Sequence, residues 1–182
     1  MVSEALYLDL GGFGWRKAKQ QFSEYGKVLG LEFTSPDFDY QIGQLTGTYE
    51  NHEIRVLPDE QARIEVQLNT TERLELSTRP FYRKTPPSGM ERVESRYPSF
   101  NHFFKTRYAA PELARQLAGS EMLEKALAGF QKKWGQQLEY LMVSDNMLTV
   151  SLRYGWQSYI PGDVIKAMLP DLIVLAERFE AL

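Results

Sequence analysis

Two hydrophobic periods alternate along the chain, and the places where one gives way to the other divide it into elements. Trp15, Ala18, Phe22, Tyr25 and Leu29 recur at three- and four-residue steps, which puts them on one face of a helix. Arg16, Lys17, Lys19, Gln20 and Glu24 take the opposite face. Gly30 follows the last periodic residue, as a left-handed C-cap requires. Ahead of this helix, residues 1–13 read as a short strand (Leu6 to Leu10) or a flexible lead-in ending on Gly11-Gly12-Phe13-Gly14.

From Gln44 to Arg79 the period changes to two. Leu45, Gly47 and Tyr49 alternate with Thr46 and Thr48; Ile54 and Val56 follow a turn at Glu50-Asn51-His52. After Pro58-Asp59-Glu60, Ile64, Val66 and Leu68 alternate with Arg63, Glu65 and Gln67, and Asn69-Thr70-Thr71 turns into Leu74 and Leu76. Four short strands with one apolar and one polar face predict an antiparallel β-meander. Residues 80–99 hold Pro80, Pro86, Pro87, Gly89 and Pro98 without an apolar period and read as a long loop.

Beyond the loop, Phe100 to Tyr108 reads as a strand. Pro111 suits the first position of a helix, and Leu113, Leu117, Met122, Leu123, Leu127 and Phe130 predict one or two helices broken near Gly119-Ser120. Gln137 to Val143 and Met147 to Arg153 form a hairpin around Ser144-Asp145-Asn146. A last helix runs from about Asp163, kinked or divided by Pro170, which lacks the N–H that the ladder needs. The order α-ββββ-β-α(α)-ββ-α, in one domain over 1–182, predicts an α+β fold of two layers with the meander packed against helices.

Composition supports a packed domain: 182 residues, 43% hydrophobic and 13% aromatic, can bury enough apolar surface to offset the ordering entropy. There is no cysteine, which removes disulfides, thiolate metal sites and cysteine nucleophiles. The apolar stretch Ala5-Leu6-Tyr7-Leu8 is stopped by Asp9 and has no basic residue before it, so it is too short for a signal peptide. The longest aliphatic run, Leu172 to Ala176, cannot cross a bilayer. A cytoplasmic protein, not integral to a membrane, is the expectation.

The familiar catalytic signatures are missing. His52 and His102 have no second histidine at ligand spacing, so no metal site is predicted. The glycine run before the first helix fails the dinucleotide fingerprint, because Lys17 stands where the third glycine belongs. No nucleophile elbow or Ser-x-x-Lys pair occurs. No catalytic residue and no cofactor is therefore predicted.

One segment departs from the average charge. Between Arg79 and Tyr108 stand seven basic residues against Glu91 and Glu94, a net of +5, so the rest of the chain carries −8 of the total −3. Phe81, Tyr82, Tyr97, Phe100, Phe103, Phe104 and Tyr108 are interleaved with them. Cations among aromatics neutralise phosphates and stack on bases, or dock on an anionic membrane surface; they also lie over rings as ordinary packing. Phe81, Tyr82, Arg83, Lys84, Arg92, Arg96 and Tyr97 are the candidate binding residues.

Val28-Leu29-Gly30-Leu31, then Leu45-Thr46-Gly47-Thr48-Tyr49 with Ile54-Arg55-Val56, then Phe100 to Phe104 before Pro111, together resemble a diffuse group of bacterial proteins of unknown function. The shared residues are structural, so the resemblance implies a fold and transfers no site. The expectation is a non-enzymatic binding or interaction domain. It would meet a protein partner, or an anionic surface through residues 79–108, by way of the sheet or that basic aromatic segment. The alternative is an enzyme with a composite carboxylate or tyrosine site.

Overall fold

The computed structural model describes residues 12–36, 42–58, 62–70, 72–79, 85–153 and 160–182. The fold is α+β: the described residues form five helices and a nine-stranded antiparallel sheet. Helix α1 (Gly12–Leu29) begins inside the glycine run, so Gly12 to Gly14 are helical, while residues 1–11, with the strand expected over 6–10, lie outside the described residues. Gly30 ends it at φ 70°, and Leu31 N–H donates to Gly26 O at 2.8 Å. A short strand that the sequence did not announce, β1 (Glu32–Thr34), pairs with β2 (Gln44–Tyr49).

Strands β2, β3 (His52–Leu57) and β4 (Arg63–Gln67) form the expected meander. The fourth strand, β5 (Leu74–Ser77), does not pair with β4. The hairpin of β8 (Leu138–Ser144) and β9 (Met147–Leu152) lies between them, giving the order β1-β2-β3-β4-β9-β8-β5-β7-β6. Burial explains the insertion. In β9, Leu148 to Leu152 are buried on both faces, and a strand apolar enough for that belongs at the middle of a sheet.

Two further expectations change. Phe100 to Tyr108 is not one strand: Pro98–Phe103 is a short helix, α2, and only Thr106–Ala109 is strand β7. Proline at N1 starts α2, and Phe100 and Phe104, one helical turn apart, are buried with rings 5.0 Å apart. The Asn101 side chain accepts from Ser95 N–H and donates to Ser95 O, fixing the approach to the helix. Within the expected loop 80–99, residues 80–84 lie outside the described part, and Glu91–Arg92 form the two-residue strand β6. Helices α3 (Pro111–Gly119) and α4 (Glu121–Trp134) break where expected, with Ser120 Oγ accepting from Leu123 N–H. Helix α5 (Gly162–Glu180) runs undivided through Pro170, which is exposed.

The register sorts side chains into rows. Gly47, Ile54, Val66, Leu148, Val143, Leu76 and Arg107 face one another in turn across seven strands, toward the helices. Ile54, Val56, Ile64, Val66, Leu68 and Leu76 are all buried in one core with α1 and α5, each contributing about 1.5–3 kcal/mol. The row one residue over faces away from the helices: Thr46, Arg55, Glu65, Thr149, Met142, Ser77 and Thr106. It is polar except for Met142, as alternation demands.

Candidate functional site

The described part of the basic aromatic segment is largely engaged within the molecule. Phe81, Tyr82, Arg83 and Lys84 lie outside the described residues. Arg92 Nε meets Glu94 Oε1 at 2.8 Å. Arg96 donates to Gly119 O and to the Tyr97 hydroxyl, and its guanidinium lies 4.9 Å from the Tyr97 ring centre. Its charge is also felt by Glu121, whose carboxyl is held below the usual range, first by a hydrogen bond and charge from Lys125 and more weakly by Arg96. Arg79 pairs with Glu139 and sits over Tyr140. Lys105 caps His102 O at 2.7 Å.

Arg107 is the extreme case. It is buried at 7% exposure on the helix side, donating to the carbonyls of Val93, Asn101 and Phe104, with Glu94 at 3.1 Å. It closes the C-terminal end of α2, whose last carbonyls need donors. The aromatics of the segment divide likewise: Phe100, Phe104 and Tyr108 are buried, and Phe103 and Tyr97 pack against the core.

The site that sequence reading missed lies on the polar face of β2, β3 and β4. There a groove of about 470 Å³ is lined by Thr46, Gly47, Thr48, Glu53, Ile54, Arg55, Glu65, Gln67 and Met147. Alternation places Thr46, Thr48, Glu53, Arg55, Glu65, Gln67 and Met147 on this face, while Gly47 and Ile54 belong to the helix-facing row. Glu65 is only 6% exposed although it belongs to the face away from the helices. A carboxylate taken out of water requires a charged partner. Arg55, its register neighbour, supplies one: Nε donates to Oε2 at 2.7 Å and Nη2 approaches the same oxygen at 2.5 Å. Arg63 Nη1 stands 3.8 Å from Oε1, too far for a hydrogen bond, and Arg63 Nε is buried without a partner among the described residues.

The remaining groove groups have capacity to spare. Gln67 Nε2 donates to Asn146 O at 2.9 Å and leans on Leu68 O, which fixes the amide and leaves Oε1 as an open acceptor. Glu53 is exposed at the groove wall without an ion-pair partner among the described residues. The two ring bases are elsewhere. His52 is buried between Glu50 O and Glu180, and His102 is exposed on α2. Among the described residues, no group of three or more metal-ligating side chains occurs, and no helix is long and apolar enough to cross a membrane.

The chain matches no family model and no curated protein. Its fold is similar to the crystal structure of the mycobacterial trehalose monomycolate transport factor A, TtfA, with TM-score 0.53 and 10% identity over 91% of this chain and 94% of that one. At that identity the likeness concerns the fold alone.

Proposed function

We propose that this protein is a non-enzymatic binding domain whose working surface is the sheet face turned away from the helices. The observation that carries the reading is the groove over Glu65: a concave site of about 470 Å³, within the range of small-molecule pockets, with a buried, ion-paired carboxylate beneath it. Rigid strands hold every lining residue, so the groove is formed before a ligand arrives, and preorganisation favours binding. An enzyme reading would rest on the groove's carboxylates, of which Glu65 is held in an ion pair with Arg55 and Glu53 stands exposed at the wall. The basic aromatic segment is the lesser surface, since Arg92, Arg96 and Tyr97 are occupied with internal partners.

The test is a small-molecule fragment screen read by backbone amide shifts. Hits should move the amides of Thr46, Thr48, Arg55 and Gln67, and Thr48→Trp, which fills the groove, should abolish those shifts while leaving the fold intact. Hits that collect on other surfaces while these amides stay still would refute the proposal.

A further inference from the structure

The groove's unspent hydrogen-bonding capacity indicates what it binds. Arg55 is committed to Glu65, and because both contacts converge on Oε2 the pair acts as a nearly neutral unit. Among the described residues, Glu65 Oε1 accepts no hydrogen bond and has the Arg63 guanidinium as an ion-pair partner at 3.8 Å. Gln67 presents Oε1, because a reversed amide would set that oxygen against two carbonyls. Glu53 adds a carboxylate with no ion-pair partner among the described residues. Three acceptors therefore line one concavity, whose two carboxylates, Glu53 and Glu65, stand beside the Arg55 guanidinium, with Arg63 3.8 Å from Glu65 Oε1.

Resting on the reading of the groove as a binding site, we infer that it takes a small organic cation, a primary amine of diamine size. Its ammonium donates to Glu53, Gln67 and the open oxygen of Glu65. An ammonium offers three donors and no acceptor, which matches this arrangement. An anion would have to compete with Glu65 for Arg55 and would face Glu53 across the groove. The methylene chain lies along Met147 and the threonine methyl groups of β2, where a flexible thioether adapts to a slim apolar stem. A groove of about 470 Å³ is of a size that small molecules fill.

The probes are 1,5-diaminopentane and glutarate, matched in length and opposite in charge, followed by amide shifts at low ionic strength. The diamine should move Thr46, Thr48, Glu53 and Gln67 and glutarate should not, with the affinity for diamine falling as salt rises. Glu53→Gln should weaken diamine binding up to about fivefold, the worth of a solvent-exposed pair, at unchanged melting temperature. Glutarate entering the groove in place of the diamine would overturn the assignment of charge and leave the groove reading standing. A pentalysine peptide binding there more tightly than the diamine would overturn the small-molecule assignment by moving the cation to a macromolecule. Silence from both small probes overturns the cation; if neutral fragments also leave the groove amides still, the binding-domain proposal falls with it.

Discussion

Leu76 and Arg107 are register partners on β5 and β7, so a guanidinium occupies the end of a row that is otherwise apolar. The apolar row stops there because α2 ends above it and presents carbonyls instead of side chains. Arg107→Met keeps much of the volume and removes every donor from the carbonyls of Val93, Asn101 and Phe104. The expected loss is about 2–4 kcal/mol in urea unfolding, the cost of stranding buried acceptors. A loss below about 1 kcal/mol would mean that water replaces the guanidinium at little cost.

The Arg55–Glu65 pair should behave as a unit. Arg55→Met leaves a carboxylate at 6% exposure with only Arg63 nearby, and about 1–3 kcal/mol of stability should go with it. Adding Glu65→Met should return part of that loss, because the double variant removes the stranded charge together with its partner. The double-mutant cycle measures the coupling, expected at about 0.5–3 kcal/mol. A coupling near zero would show that Arg63 or solvent already compensates Glu65.

Both tight hairpins turn on left-handed residues that are not glycine: Glu50 and Asn51 at φ 47° and 68°, Asp145 and Asn146 at 50° and 58°. Such turns match the twist of the strands they join but strain most side chains. Asn146→Gly should stabilise by about 0.5 kcal/mol, since the hydrogen bonds there, from Leu68 N–H and Gln67 Nε2, go to its backbone carbonyl and survive. Asp145→Val should instead cost about 1–3 kcal/mol. Thermal melts of the two variants should move in opposite directions.

Glu124, in the first turn of α4, is pushed above the usual carboxylate range by burial, against a hydrogen bond from the Phe100 backbone that lowers it. An acid whose folded value is raised binds its proton more tightly in the native state. Its ionisation therefore costs nothing at low pH, and the cost grows as pH rises from the unfolded value through the folded one. Glu124→Gln retains the acceptor and deletes the charge. The variant should melt higher than the parent at neutral pH and together with it well below the carboxylate range. A gain of equal size at both ends would assign the effect to packing.

The legible parts of this fold were those where one local signal decided the outcome. Gly30 as a cap, Ser120 as a break and Asp145-Asn146 as a turn each rest on the backbone preference of a residue or two. The meander's alternation, too, is a period that any window shows. Strand order was not legible, because nothing in β4 or β5 indicates that β8 and β9 will come between them; that depends on β9 needing cover on both faces. Phe100 to Phe104 misled for a related reason: aromatic residues suit strands, yet Pro98 and the Ser95–Asn101 bonds commit the segment to a helical turn. The candidate cations Arg92 and Arg96 are near one another in sequence, but their partners Glu94 and Gly119 O come from the fold. Glu65 reads in the sequence as an ordinary carboxylate on a wet face, and its burial beside Arg55 and Arg63 comes from the fold.

A sheet nine strands wide could recruit further strands at either rim, and its two outermost members decide whether it does. They are β1, with three residues, and β6, with two, and β6 is Glu91–Arg92, charged throughout. A second chain laid against either rim would gain only a few backbone bonds and, at β6, would have to desolvate two charges to form them. The middle of the sheet, rich in valine, leucine and isoleucine, is thus bounded among the described residues by rims that offer little backbone to template growth.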